Sequence, residues 1–130
     1  MSRREVYRLI CRMAERDYAD IVVGTEFDDE SARIHIQDGS FLEVWLHRRE
    51  NVMERYAFHW ERRLVDGSFF RHDNTPHKRW RAVETFPRHF HFQTQSEVVD
   101  SHMPDDPMAA SRYFLEFVRE FLKKSAVKNS

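Results

Sequence analysis

The chain has little cysteine and little glycine. Its single cysteine, Cys11, excludes an intramolecular disulfide and a cysteine-rich zinc site, which fits a reducing compartment. Three glycines in 130 residues cannot build a glycine-rich loop of the kind that cradles nucleotide phosphates. No apolar run approaches the roughly 18 to 20 residues that cross a bilayer. We therefore expect neither export nor membrane insertion.

The chain also lacks an excess of charge of one sign. The net charge is −1, which argues against a protein that coats nucleic acid through bulk charge. The charge is unevenly spread, because residues 47–91 hold ten basic and six acidic side chains together with six of the eight histidines. A local basic patch is therefore the form of anion binding that the composition favours.

The rest of the composition supports one folded unit. Hydrophobic residues make up 41% of the chain and include eleven phenylalanines. They can fill one interior at a length that is typical of single domains. We predict a single α+β domain over residues 1–124 and a frayed C-terminal tail at residues 125–130.

Apolar spacing predicts two helices with a sheet between them. Apolar residues recur at helical spacing over residues 3–17 and 107–124, with Asp106 as the N-cap of the second helix. Between the helices the pattern has period two, and the Asp38-Gly39 and Asp66-Gly67 dipeptides favour type I′ hairpin turns. We predict an antiparallel β-meander of about five to six strands, with an N-terminal and a C-terminal helix packed on it.

Titratable side chains concentrate after the second predicted hairpin. Arg71 and Asp73 share one face of the strand that ends this hairpin, and His89 and His91 share one face of a later strand. If the two strands pair and the two faces coincide, these side chains meet at one end of the sheet, and the loop brings His77 back to them. The other strand histidines alternate with charged neighbours and are predicted to face solvent: His35, His47 and His59.

Three chemistries would use such a cluster. One is metal-free RNA cleavage, in which an imidazole takes the ribose 2′-OH proton, another acid protonates the leaving oxygen and an arginine stabilises the charge on phosphorus. A second is a metal-dependent hydrolase that uses the His-x-His strand for ligands. The third is recognition of phosphate or a nucleotide without turnover, with Arg71 and Arg88 as anion-binding forks. The corresponding alternative function is a non-enzymatic module that binds nucleic acid or protein.

The cluster also carries a family resemblance. The segments Phe70-Arg71-His72-Asp73-Asn74-Thr75-Pro76-His77 and Phe86-Pro87-Arg88-His89-Phe90-His91 resemble the signature of the TumE-like proteins. That signature is an Arg-x-Asp-Asn-x-Pro-His stretch followed by Phe-Pro-x-His-x-His. The likeness spans about residues 20–124 and is specific over residues 70–91.

The resemblance implies the toxin of a prokaryotic type II toxin–antitoxin pair, which a helix-turn-helix antitoxin of the TumA type neutralises in the cytoplasm. By analogy with other small toxins of such pairs, we expect a growth inhibitor that acts on RNA as a metal-independent endoribonuclease. We expect no cofactor and no metal ligand. A homodimer is a further expectation, because the edge strands of a short meander can pair between copies.

These expectations assign roles to particular residues. The imidazoles share the acid–base roles, Arg71 binds phosphate and Asp73 orients a histidine or the loop. The predicted catalytic residues are Arg71, Asp73, His77, His89 and His91. The predicted nucleic-acid-binding residues are Arg71, Lys78, Arg79, Arg81 and Arg88.

Overall fold

The chain folds as one antiparallel sheet with a helix at each end, in a computed structural model that describes residues 1–50 and 52–128. The predicted α+β class is confirmed, and the sheet has seven strands, one more than the upper prediction. The elements in chain order are α1 (Arg3–Asp17), β1 (Val22–Phe27), β2 (Ala32–Ile36), β3 (Phe41–Arg49), β4 (Val52–Arg62), α2 (Arg63–Asp66), β5 (Ser68–Asp73), β6 (His89–Gln93), β7 (Val98–Asp100) and α3 (Pro107–Lys128). The missed strand is β7, whose three residues are too few to show an alternating pattern.

The strands pair in chain order from β1 to β7, so the predicted meander is confirmed. The turn chemistry differs from the prediction at both Asp-Gly dipeptides. At the first turn Gly39 has a φ of 91°, but Asp38 lacks the positive φ of a type I′ turn, and its carboxylate accepts the Ser40 N–H at 3.0 Å. At the second, the one-turn helix α2 precedes Gly67, which ends it with a φ of 82°.

The long helices begin where local chemistry stabilises their first turns. In α1 the Ser2 hydroxyl accepts the Glu5 N–H at 3.1 Å, and in α3 the Asp106 carboxylate accepts the Ala109 N–H at 2.9 Å. Helix α3 continues through Lys128, past its predicted end, and residues 129 and 130 of the predicted tail lie outside the described residues. In the described ranges no helix combines the length and apolar character that crossing a membrane requires.

The sheet has a covered face and an open face. Side chains on the covered face form the core with α1 and α3; Phe70, for example, lies between Phe117 and Phe121, with ring centroids 5.1 and 5.2 Å away. Successive residues of a strand point to opposite faces. Burial of Phe70 and His72 under the helices therefore directs Arg71 and Asp73 to the open face.

Candidate active site

Strand pairing brings the predicted site residues together on the open face. Strands β5 and β6 are antiparallel neighbours, in which Arg71 pairs with His91 and Asp73 pairs with His89. The residue between the two histidines, Phe90, enters the core and stacks on Phe70. The two conditions that the sequence prediction required, paired strands and coincident faces, are therefore met.

Asp73 lies at the centre of the cluster and is 5% exposed. Its Oδ1 is 3.0 Å from Nε2 of His89 and accepts the Thr75 N–H at 3.0 Å, while its Oδ2 accepts a hydrogen bond from Nε of Arg71 at 3.0 Å. Burial raises the pKa of Asp73, but the hydrogen bonds from His89 and Thr75 outweigh that effect and lower it to about 2. The carboxylate is therefore ionised and fixed in orientation.

His89 is held through both ring nitrogens. Its Nδ1 is 2.9 Å from the Pro87 carbonyl oxygen and its Nε2 is 3.0 Å from Asp73. Carbonyl and carboxylate oxygens only accept hydrogen bonds, so both nitrogens carry protons and the ring is an imidazolium. Burial lowers the pKa of His89, but hydrogen bonding to Asp73 and Pro87 raises it above its ordinary value. His89 and Asp73 therefore form a buried ion pair.

His91 is held through one ring nitrogen only. Its Nδ1 is 3.1 Å from the Gln95 carbonyl oxygen and must donate its proton there. Its Nε2 is 3.9 Å from Oδ2 of Asp73, which is too far for a hydrogen bond. Burial and the adjacent charge of His89 lower the pKa of His91. The neutral ring therefore has a lone pair on Nε2 that can accept a proton.

His77 reaches the same cleft from the loop between β5 and β6. Its Nδ1 accepts the backbone N–H of Arg79 at 3.1 Å, at the start of a 3₁₀ turn, Lys78–Trp80. Because that nitrogen accepts, the proton of the neutral ring is on Nε2. Nε2 of His77 is therefore a hydrogen-bond donor, whereas Nε2 of His91 is an acceptor.

The cluster lines a cleft of about 320 Å³ on the open face. Its charged groups are mostly cationic, because three guanidinium groups and the His89 imidazolium surround the single carboxylate of Asp73. Such a lining suits a phosphate group. The lining residues are His59, Arg63, Phe69, Arg71, Asp73, Thr75, His77, Arg79, Trp80, His89, His91 and Gln95.

Six of the twelve lining residues were missed in the sequence, among them His59 and Trp80. The prediction that His59 faces solvent is wrong, because its side chain is only 16% exposed and stacks on Phe69 at 5.3 Å. Its pairing with Arg71 across β4 and β5 was the signal that could have placed it in the cleft. Trp80 had no such signal, since it lies in a loop, and its ring is 6.0 Å from His89 and 5.5 Å from His91.

The predicted nucleic-acid-binding residues fall into two groups. Arg71 and Arg79 line the cleft, and Lys78 and Arg81 are exposed beside Trp80. Arg88 does not line it. Its guanidinium donates to the Tyr56 hydroxyl at 3.2 Å and to the Met103 carbonyl, and it pairs with Asp105 at 3.2 Å. A role in nucleic-acid binding stays a prediction for all five residues.

Asp73, His89 and His91 also form a group that could hold a metal ion. Each offers one ligand atom, and these atoms lie within 4.8 Å of one another. Both histidines point Nδ1 at a backbone carbonyl and Nε2 toward Asp73. This orientation is common for histidines that bind transition metals through Nε2.

Comparison with known proteins identifies the family of this chain. No curated protein and no solved structure matches the chain. The sequence model of the family described as Toxin TumE matches residues 8–122, which includes the whole cleft and most of both long helices. The resemblance noted in the sequence is therefore confirmed, and the chain belongs to the Toxin TumE family.

Proposed function

We propose that this toxin-family protein cleaves RNA in the cleft through proton transfer by its histidines, without a metal ion. The observation that carries the proposal is the different hydrogen bonding of two neighbouring buried histidines. Asp73 holds His89 as a cation, and the neighbouring His91 is neutral with a free Nε2 lone pair. Neighbouring titratable groups whose surroundings shift their pKa values in opposite directions are typical of acid–base sites.

The phosphate would bind over Arg71. Its side chain is 39% exposed, and Nε is engaged by Asp73. The ion pair fixes the guanidinium in place between His59 and His91, its neighbours on the two adjoining strands. A guanidinium held in this way can stabilise the negative charge that develops on the phosphoryl oxygens.

The proposed cleavage removes a proton from the attacking oxygen and adds one to the leaving oxygen. Nε2 of His91 takes the proton of the ribose 2′-OH as the 2′-oxygen forms a bond to phosphorus. The bond from phosphorus to the 5′-oxygen breaks, and a water molecule that accepts a hydrogen bond from Nε2 of His77 gives a proton to that oxygen. The hydroxide left behind takes up the proton that His91 collected. The products are a 2′,3′-cyclic phosphate and a 5′-hydroxyl end. Asp73 stabilises the imidazolium that forms at His91.

The first test is cleavage of single-stranded RNA by the purified protein in the presence of a chelator. We expect cleavage to continue at an undiminished rate and to leave 2′,3′-cyclic phosphate ends. The matched substrate is the same oligonucleotide with 2′-deoxyribose, which should stay intact because it lacks the attacking hydroxyl. Cleavage of both substrates at equal rates, or of neither, would contradict the proposal.

A second candidate function is metal-dependent hydrolysis, which the arrangement of Asp73, His89 and His91 favours. The donor set of two imidazoles and a carboxylate suits a transition metal, which would act as a Lewis acid toward the phosphate. The positive charge of the adjoining Arg71, which already pairs with Asp73, disfavours the binding of a metal cation there. Metal analysis of protein purified without a metal-affinity column decides between the two. Stoichiometric metal, together with activity that a chelator removes, would support the second candidate.

Membership of a toxin family suggests where the protein acts and what neutralises it. We propose that the protein acts in the cytoplasm and that a helix-turn-helix antitoxin of the TumA type neutralises it. Co-expression with the product of a neighbouring helix-turn-helix gene should restore growth of cells that express this chain. A homodimer formed through the edge strands β1 and β7 stays a prediction.

A further inference from the structure

Trp80 is the aromatic side chain of a basic segment at the rim of the cleft. The segment is His77-Lys78-Arg79-Trp80-Arg81, and most of it lies in the 3₁₀ turn over the open face. The Trp80 ring is half-buried because it lies against the rings of His89 and His91. Trp80 therefore offers a large apolar surface beside His91, the proposed proton acceptor.

Among the described residues, the cations around Trp80 have no carboxylate partner. In the described part of the chain no ion pair involves Lys78, Arg79 or Arg81, although most of the other arginines pair with an acidic group. All three side chains are exposed. The Arg79 guanidinium lies 4.9 Å from the centre of the Trp80 ring. An aromatic platform among unpaired cations is the arrangement by which proteins bind single-stranded nucleic acid.

The position of Trp80 relative to the other cleft residues suggests how a strand would lie. A base stacked on the ring would take the place of the Arg79 guanidinium and free it for a phosphate. The next phosphate could then reach Arg71 on the floor of the cleft, beside His91. Bases inside a duplex are stacked on each other and are not available to the ring.

We propose that the substrate is single-stranded RNA, that Trp80 stacks on the nucleobase next to the cleaved phosphate, and that Lys78, Arg79 and Arg81 bind the neighbouring phosphates. This inference rests on the proposed function for the reaction itself. It adds the substrate class and a substrate-binding residue.

The test is a binding measurement with a probe that cannot be cleaved. A fluorescent single-stranded RNA oligonucleotide with 2′-O-methyl groups is titrated with the full chain, and anisotropy gives Kd. We expect Trp80→Ala to weaken binding by about ten-fold or more, since stacking on an aromatic side chain contributes that much per base. Trp80→Phe should retain most of the affinity because a phenyl ring still stacks.

Trp45 provides the matched control. It is 37% exposed and lies on the same open face, in line with Asp73 but two strands away. Trp45→Ala should therefore leave Kd unchanged. An equal loss of affinity in both alanine variants would show that the sheet face binds RNA without a dedicated platform. Unchanged binding by Trp80→Ala, or equal affinity for a duplex of the same sequence, would overturn the proposal directly.

The contribution of the charged residues is measured separately, through the salt dependence of binding. Each phosphate contact contributes about 0.7 to the slope of log affinity against log salt for a single strand. Lys78→Gln and Arg81→Gln should each reduce that slope by about this amount, and an unchanged slope in both would remove them from the interface. Because the probe is not cleaved, binding that depends on Trp80 without cleavage of ordinary RNA would uphold this inference and refute the proposed function.

Discussion

Replacement of His91 by alanine is expected to reduce RNA cleavage by about 10²- to 10⁴-fold, the usual contribution of a general acid or base. The reason is geometric. The Nδ1–H of His91 donates a hydrogen bond to the Gln95 carbonyl, so the neutral ring has a lone pair on Nε2, and the side chain lines the cleft beside Arg71. The measurement is the initial rate of cleavage of single-stranded RNA, at pH 7 and with a chelator present.

A second variant separates the loss of catalysis from a loss of folding stability. His91 is buried, so alanine removes packing as well as a proton acceptor. Asparagine retains an N–H that can donate to Gln95 but cannot accept a proton, and His91→Asn should be as inactive as alanine at unchanged thermal stability. The control is His47→Ala, on a side chain that is 58% exposed and outside the cleft. Full activity of His91→Asn would refute the assignment.

His89 is expected to behave as a positioning residue. Both of its N–H groups are engaged, by Pro87 and Asp73, so neither proton is free for substrate. The sequence prediction gave it an acid–base role, and the geometry supports an indirect one, in which its charge holds Asp73 ionised and keeps His91 neutral. A shift in the pH profile of cleavage, rather than complete loss at every pH, is the signature that would separate the two roles.

The sequence located the cluster because strand parity and strand order are local properties. The Asp-Gly dipeptides marked chain reversals, and alternation then placed Arg71 with Asp73 and His89 with His91. These two inferences were sufficient even though neither turn has the predicted geometry. A meander tolerates such errors, because consecutive strands pair whatever conformation joins them.

Other features depend on contacts between residues distant in sequence. Arg88 was predicted to bind an anion, and its guanidinium contacts Tyr56, Met103 and Asp105, none of which lies near it in the chain. The position of Trp80 depends on how the loop folds back over β6. Propensity and periodicity carry no information about such contacts, so a cation in a loop cannot be assigned to phosphate from sequence alone.

Asp73 is expected to be as important for stability as His91 is for cleavage. Asp73→Ala leaves the His89 cation buried without its counter-ion and frees the Thr75 N–H. Breaking a buried pair in this way costs about 3 to 5 kcal/mol. The measurement is the urea midpoint at constant slope. Asp29→Ala removes an ion pair whose carboxylate is 77% exposed, with Arg4, and should cost about 1 kcal/mol or less.

The loss of stability on replacing Asp73 should depend on pH, and this dependence distinguishes the ion pair from simple packing. The pKa of Asp73 is lowered from 3.8 to about 2, so its contribution to stability is complete above pH 3.8 and is lost as pH falls toward 2. The pKa of His89 is raised above 6.5, so its contribution is complete below pH 6.5 and is lost as pH rises through the higher value. The stability difference between wild type and Asp73→Asn should therefore be largest between about pH 4 and 6.5. A difference that stays constant from pH 3 to pH 9 would show that shape, rather than charge, is what Asp73 contributes.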